Sequence, residues 1–197
     1  MMRLITNKNN MLEWEKVEDC YQDDRDEPDS SDLARLVLPR QQGRRELTKW
    51  DARFIGLARH IAEWSKDPST KVGCILVDSS RVVVGMGYNG FPRGVDDSDS
   101  RYQNRELKYQ LVQHAEINAI LNSTKSVKGC VAYVTHPPCC NCSGSIIQSG
   151  ISEVVAVAPE RGLAERYKSS FENSKMMFNE AGINYIEISR GECNGNI

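Results

Sequence analysis

Between Lys71 and Ile188 the chain alternates short Val- and Ile-rich runs with segments whose apolar residues recur at helical spacing, an order that few architectures accommodate. Lys71–Asp78 (KVGCILVD) and Arg81–Asn89 (RVVVGMGYN) are separated only by Ser79-Ser80, which predicts a β-hairpin. Residues 130–135, 153–158 and 183–188 read as three further strands. Helices are expected over residues 111–122, over 142–148, stopped by Gly150, and over 163–180, ended by Gly182. Ahead of the hairpin, Thr48 can cap a helix that carries Phe54, Leu57, Ala58, Ile61 and Trp64 on one face and ends before Pro68. The outcome is an α/β chain with one mixed sheet sandwiched between helices. Its last two strands, joined by a helix, should run parallel through a right-handed crossover.

The first 45 residues lack this regularity. Residues 13–32 are rich in Asp and Glu, with few clustered apolar side chains, so residues 1–45 read as a mobile or weakly ordered extension and residues 46–197 as one domain. A short helix over 32–38 is expected, capped by Ser31 or Asp32 and stopped by Pro39; a lid or an oligomer contact is the functional alternative for the extension. A chain of 197 residues, 40% hydrophobic and 26% charged, can bury one substantial core. Its formal net charge of −2 supplies no general positive field for nucleic acid, whereas a small anionic ligand needs only a local basic pocket. No apolar run approaches the roughly 18 residues that cross a bilayer, and the N-terminus has no apolar signal core. A cytoplasmic protein without a membrane or nucleic-acid partner is expected.

Seven cysteines raise the question of a disulfide framework, but the count is odd and three of them crowd into Cys139, Cys140 and Cys142. Such clustering points to metal or thiol chemistry. Cys20, Cys74, Cys130 and Cys193 stand singly and read as buried small hydrophobes or unpaired thiols. His114-Ala115-Glu116 falls in one predicted helix, and Pro138-Cys139-Cys140-Asn141-Cys142 opens the next. Each motif alone is weak, since a lone His is more often a satisfied packing residue and a lone Cys-x-x-Cys can be redox-active or half of a structural zinc site. Together, in this order and with a strand between them, they form the pattern of a zinc deaminase centre. Two thiolates three residues apart at a helix start can chelate one metal from one side, and His114 can add a third ligand, leaving a tetrahedral zinc open to water. Two thiolates also cancel the charge of Zn²⁺, so the site acidifies water less than three neutral imidazoles would, which gives Glu116 a purpose as the proton carrier.

The segments DPSTKVGCILV, GYNGFPRG, VQHAEINAIL, VKGCVAYVTHPPCCNCSGSIIQSGISEV and MMFNEAGI make the chain from about Trp50 to Ser189 resemble the cytidine and deoxycytidylate deaminase family, the deoxycytidylate branch in particular. The resemblance implies a three-layer α/β/α sandwich on a five-stranded mixed sheet and a zinc-dependent hydrolytic deamination of dCMP to dUMP and ammonia, which would feed thymidylate synthesis. It also implies a homo-oligomer with deoxynucleoside triphosphate effectors such as dCTP or dTTP. It assigns Asn89 to the sugar and the backbone N–H of Ala115 to the pyrimidine carbonyl, although Asn-Gly is by itself a strong turn dipeptide. For the phosphate, Ser69, Thr70 and Lys71 are candidates, with Arg93, Lys108, Tyr109 and Arg161 as others that relatives place near nucleotide or effector pockets. His136 stands where many family members carry an apolar residue; it is a rival metal ligand, but a place beside Thr135 in the base pocket is preferred. Cys140 should point away from the metal.

Competing readings share the metal centre: a deaminase of cytidine, of dCTP or of tRNA adenosine. A structural zinc module is a different class; it would need a fourth protein ligand, such as His136 or Cys130, and would leave Glu116 idle.

Overall fold

A computed structural model describes residues 2–6, 12–16 and 45–191 of the chain. Two compact units divide after Pro39, a few residues ahead of the division expected from composition. In the first, strands β1 (Met2–Thr6) and β2 (Leu12–Lys16) pair antiparallel, a hairpin that the aperiodic sequence did not announce. The helix expected over 32–38 lies outside the described residues.

The second unit opens with helix α1 (Lys49–Ala62), whose N-cap is Thr48 as expected. The hairpin follows as β3 (Gly73–Val77) and β4 (Val83–Tyr88). Two short helices then appear, α2 (Asp99–Gln103) and α3 (Arg105–Leu111), before α4 (Ala115–Leu121) and β5 (Val131–Val134). Helix α5 (Cys140–Gln148), β6 (Glu153–Val157), α6 (Arg161–Arg166), α7 (Lys168–Glu180) and β7 (Asn184–Ile188) complete the domain.

The five strands run in the order β4-β3-β5-β6-β7. The hairpin pairs and β3–β5 are antiparallel, while β5–β6 and β6–β7 are parallel, so the expected mixed sheet and parallel last pair are present. Alternate side chains load the two faces. Ile75, Val77, Tyr133, Val155 and Ile186 pack with Phe54, Ile55, Ala58 and Ile61 of α1. Leu76, Val134, Val154 and Ala156 face Ala115 and Ala119 of α4, Ile146 of α5 and Phe178 of α7. This is the α/β/α sandwich with its five-stranded mixed sheet.

Two details of the sequence reading change. Leu57 and Trp64 were expected on the buried face of α1, but they are 37% and 51% exposed, and Ile55 and Ala62 are buried instead. The expected helix over 163–180 is two, broken at Tyr167, which ends α6 and precedes α7.

Close approach of helix to sheet rests on glycine at two strand positions. A Cβ on Gly73 would lie 2.0 Å from the Ala58 carbonyl oxygen of α1, and one on Gly87 would lie 2.3 Å from the Ala119 nitrogen of α4. No side chain fits either gap.

A clamp fixes the start of the second unit. Arg45 donates to both oxygens of Asp51, at 2.8 and 2.7 Å, and to Glu153, its Nε 2.9 Å from Oε1. Asp51 also accepts from the Thr48 backbone N–H at 2.7 Å and from the Tyr133 hydroxyl at 2.8 Å. Its side chain is 2% exposed. Burial alone would raise the Asp51 pKa, but the bonds from Arg45, Thr48 and Tyr133 outweigh it and bring the value down to about 2.

Candidate active site

Residues 113–122 are set against edge strand β4 by its own backbone groups. Gln113 and Gly90 exchange backbone hydrogen bonds of 2.8 and 3.1 Å just ahead of α4. The Asn118 amide donates to the Tyr88 carbonyl at 2.8 Å, and the Asn122 amide to the Met86 carbonyl at 3.3 Å. His114 is therefore held as the N-cap of α4, with Ala115 and Glu116 in its first turn. The Ala115 N–H, at the first helical position, has no intrahelical acceptor.

Across β5, the Pro137-Pro138 pair leads into Cys139 as the N-cap of α5, and Ser143 fixes that cap through its backbone N–H and hydroxyl to the Cys139 carbonyl, at 2.9 and 3.0 Å. Cys142 lies in the first turn. Cys140, between them, is turned toward α7, where its thiol lies 3.2 Å from the Ser170 carbonyl.

The donor atoms of His114, Cys139 and Cys142 all lie within 4.8 Å of one another. His114 Nδ1 is 3.5 Å from Cys139 Sγ and 3.3 Å from Cys142 Sγ. Zn–S and Zn–N bonds of about 2.3 and 2.0 Å at a tetrahedral angle would set such an edge at about 3.5 Å, so the donor set fits zinc. The hydrogen bond between the two thiols, with help from His114, lowers the Cys139 pKa to about 4, while the same bond, then burial, pushes the Cys142 thiol far up. A second thiolate needs a cation. His114 rises to about 8 through its bond to Cys139. Glu116 is 4% exposed, and burial raises its pKa.

His114, Cys139 and Glu116 open onto one cavity of about 730 Å³, whose wall also includes Ala115, His136 and Asn89, with Cys142 buried behind it. Among the described residues His136 does not join the three-donor cluster. Burial, then Arg190, lowers its pKa. Thr135 is buried and accepts the Gly73 N–H at 3.0 Å, so its hydroxyl extends the β3–β5 pairing and is absent from the cavity wall. Asn89 is committed to backbone as well: its Oδ1 accepts the Val72 N–H at 2.8 Å and its Nδ2 donates to the Thr70 carbonyl at 2.9 Å. Ser69 and Thr70 line the cavity. Lys71 does not; it is exposed, with its ammonium 3.2 Å from the Glu63 carbonyl. Arg93 reaches Asn122 on the far side of β4 in a separate groove, and Arg161 pairs with Glu165 in solvent. Sequence reasoning missed Arg105, Arg166 and Tyr167, which line the cavity mouth; isolated cations on short polar helices carry no spacing signal.

The chain belongs to the cytidine and deoxycytidylate deaminase family, whose zinc-binding region matches residues 48–158, a span that includes the three candidate metal donors. Among its relatives, the deoxycytidylate deaminase of Homo sapiens is 37% identical over 150 residues, 72% of this chain and 81% of that one. An uncharacterized deaminase in the luxG 3′ region of Aliivibrio fischeri is 42% identical over 137 residues, 70% of this chain and 92% of that one. The dCMP deaminase of cyanophage S-TIM5, solved in complex with dCMP and dUMP, superposes with a TM-score of 0.57 over 73% of this chain and 100% of that one; at 21% identity it shows the shared fold.

Proposed function

We propose that this protein is a zinc enzyme that hydrolyses dCMP to dUMP and ammonia, with His114, Cys139 and Cys142 as the metal ligands and Glu116 as the proton carrier. The observation that supports it most is the three-donor cluster beside a buried carboxylate, with His114, Cys139 and Glu116 on one cavity wall. Three ligands without a fourth distinguish a catalytic centre from a structural one. Zinc, when bound, supplies the Lewis acidity that makes an attacking water easier to deprotonate. Glu116 takes the first proton from the water that adds at C4 and passes it to ring N3. The same carboxyl carries the second proton to the amino group as the C4–N bond breaks, so one water enters and one ammonia leaves. The Ala115 N–H faces the pyrimidine carbonyl. His136 closes the base pocket, and Asn89 meets the sugar with the hydrogen-bonding capacity left over from its backbone partners.

Homology to deoxycytidylate deaminases carries the choice of substrate. Zinc-loaded protein assayed for ammonia release on dCMP, deoxycytidine, CMP, dCTP and an adenosine-containing RNA hairpin should favour dCMP. Deamination of the hairpin with none of dCMP would replace this reading with RNA editing. The same reading includes a cytoplasmic homo-oligomer responsive to dCTP or dTTP. An apolar groove beside edge strand β4, lined by Trp64, Met86, Tyr88 and Leu121, supports self-association, and no described helix is long and apolar enough to cross a membrane.

A further inference from the structure

Three cationic side chains, Arg105, Lys108 and Arg166, line the cavity, and they are not equivalent. Lys108 is spoken for: its ammonium lies 3.1 Å from Asp67 Oδ1 and 3.2 Å from Ser69 Oγ, and both members of the ion pair are 7% exposed at the side chain. Asp67 in turn accepts the Ser69 N–H at 2.8 Å, so the pair shapes the loop and contributes no net charge. Arg105 of α3 and Arg166 of α6 differ. Both are exposed, both line the cavity that holds Glu116, and neither has a carboxylate partner among the described residues.

The two arginines flank a pair of tyrosines. Arg105 Nε donates to the Tyr109 hydroxyl at 3.2 Å, and its guanidinium stacks 5.4 Å from that ring's centre. The Tyr167 hydroxyl adjoins Tyr109 and, ahead of Arg105, lowers its pKa. Tyr109, Tyr167 and both arginines line the same cavity; burial, then the bond to Tyr109, raises the pKa of Tyr167, and the charges of Arg166 and Arg105 act against that rise.

We propose that Arg105 and Arg166 form a two-armed clamp for the phosphate of the substrate, and that Lys108 is a positioning residue for the loop that carries Ser69. This rests on the nucleotide reading given above. The charges match: two guanidinium groups with no carboxylate partner among the described residues meet a phosphate monoester of charge near −2 at neutral pH, whereas a nucleoside offers them nothing. Guanidinium forks bind phosphate oxygens with direction as well as charge, and the tyrosine hydroxyls add donors at the same place. Discrimination between nucleotide and nucleoside therefore sits on α3 and α6, away from the zinc motif.

The test uses zinc-loaded Arg105→Met, Arg166→Met, the double variant, the two Arg→Lys variants and Lys108→Met. Each is measured for kcat/KM on dCMP and on deoxycytidine, and for binding of dUMP and deoxyuridine by calorimetry. Each Arg→Met change should reduce the dCMP-to-deoxycytidine ratio about tenfold to a hundredfold, and should weaken dUMP binding by a similar factor. Lysine at either position should restore part of the ratio. Lys108→Met should lower both substrates in proportion and leave the ratio in place. An unchanged ratio in the double variant, or proportional losses on both substrates, would overturn the clamp. A parent protein with no preference for dCMP would overturn the nucleotide reading itself, which separates the two failures.

Discussion

In the function proposed above, Glu116 serves chemistry, and Asn89 joins a sugar contact to a scaffold role. Glu116 is buried at the floor of the cavity, where low dielectric raises its pKa and suits it to carry a proton that it must also release. Glu116→Gln preserves shape and leaves the three metal donors intact. It should retain about one zinc per chain by metal analysis while kcat for dCMP falls at least about a hundredfold. Activity within tenfold of the parent would remove the proton-carrier role. The proximity of His114, Cys139 and Cys142 was legible because their spacing is chemically specific. Asn89 was legible only in part: Asn-Gly suggested a turn and family likeness a sugar contact, but its two bonds to the Val72 and Thr70 backbone join β4 to the loop before β3. Such a tie depends on the hairpin register, which the sequence does not display.

Helix α4 sits where Gly87 permits it. Adding a methyl at Gly87 would place carbon 2.3 Å from the Ala119 nitrogen and 2.4 Å from the Ala115 carbonyl oxygen, so α4 must shift and carry His114 and Glu116 with it. Gly87→Ala should destabilise by about 1–3 kcal/mol in chemical denaturation and weaken zinc retention. Gly56, exposed in the middle of α1 with nothing within 4 Å of an added Cβ, is the counterpart. Gly56→Ala should stabilise by about 0.5–1 kcal/mol. Strands and the longer helices were readable from period alone, since each buries one face or two. Helices α2 and α3 were not, because they are short, polar and separated only by Asn104, whose side chain caps α3 through the Leu107 N–H at 3.1 Å. The break at Tyr167 was hidden for a different reason: no Gly or Pro marks it.

Over the whole molecule, the acid limb of stability should carry the signature of the Arg45–Asp51 clamp. Asp51 titrates near 3.8 when unfolded and near 2 when folded, so its contribution is fully present above about pH 4 and is lost as pH falls through about 2. Asp51→Asn should cost about 2 kcal/mol at neutral pH, and the difference from the parent should shrink between about pH 4 and pH 2 in denaturant titrations. A gap that stays constant across that window would show that Asp51 is not the titrating group. The clamp also bears on where the chain can be trimmed. Arg45 was counted in the extension, yet its guanidinium holds Asp51 and Glu153 of the second unit, so a truncation that spares Arg45 should melt at a higher temperature than one that removes it.

Helix α6 has no buried residue, yet Leu163 and Arg166 from it form part of the cavity wall. A wall element with so little anchoring opens at small free-energy cost, well below that of global unfolding. Amide protons of residues 161–167 should therefore exchange with deuterium early, while those of β5 and β6 persist. Saturating dUMP should slow exchange in 161–167 far more than elsewhere, and the ordering it imposes should limit how fast product departs. Turnover would then be governed by the residence time of dUMP, and a helix-stabilising change on the solvent side of α6 should lengthen that time and lower kcat without touching the chemistry.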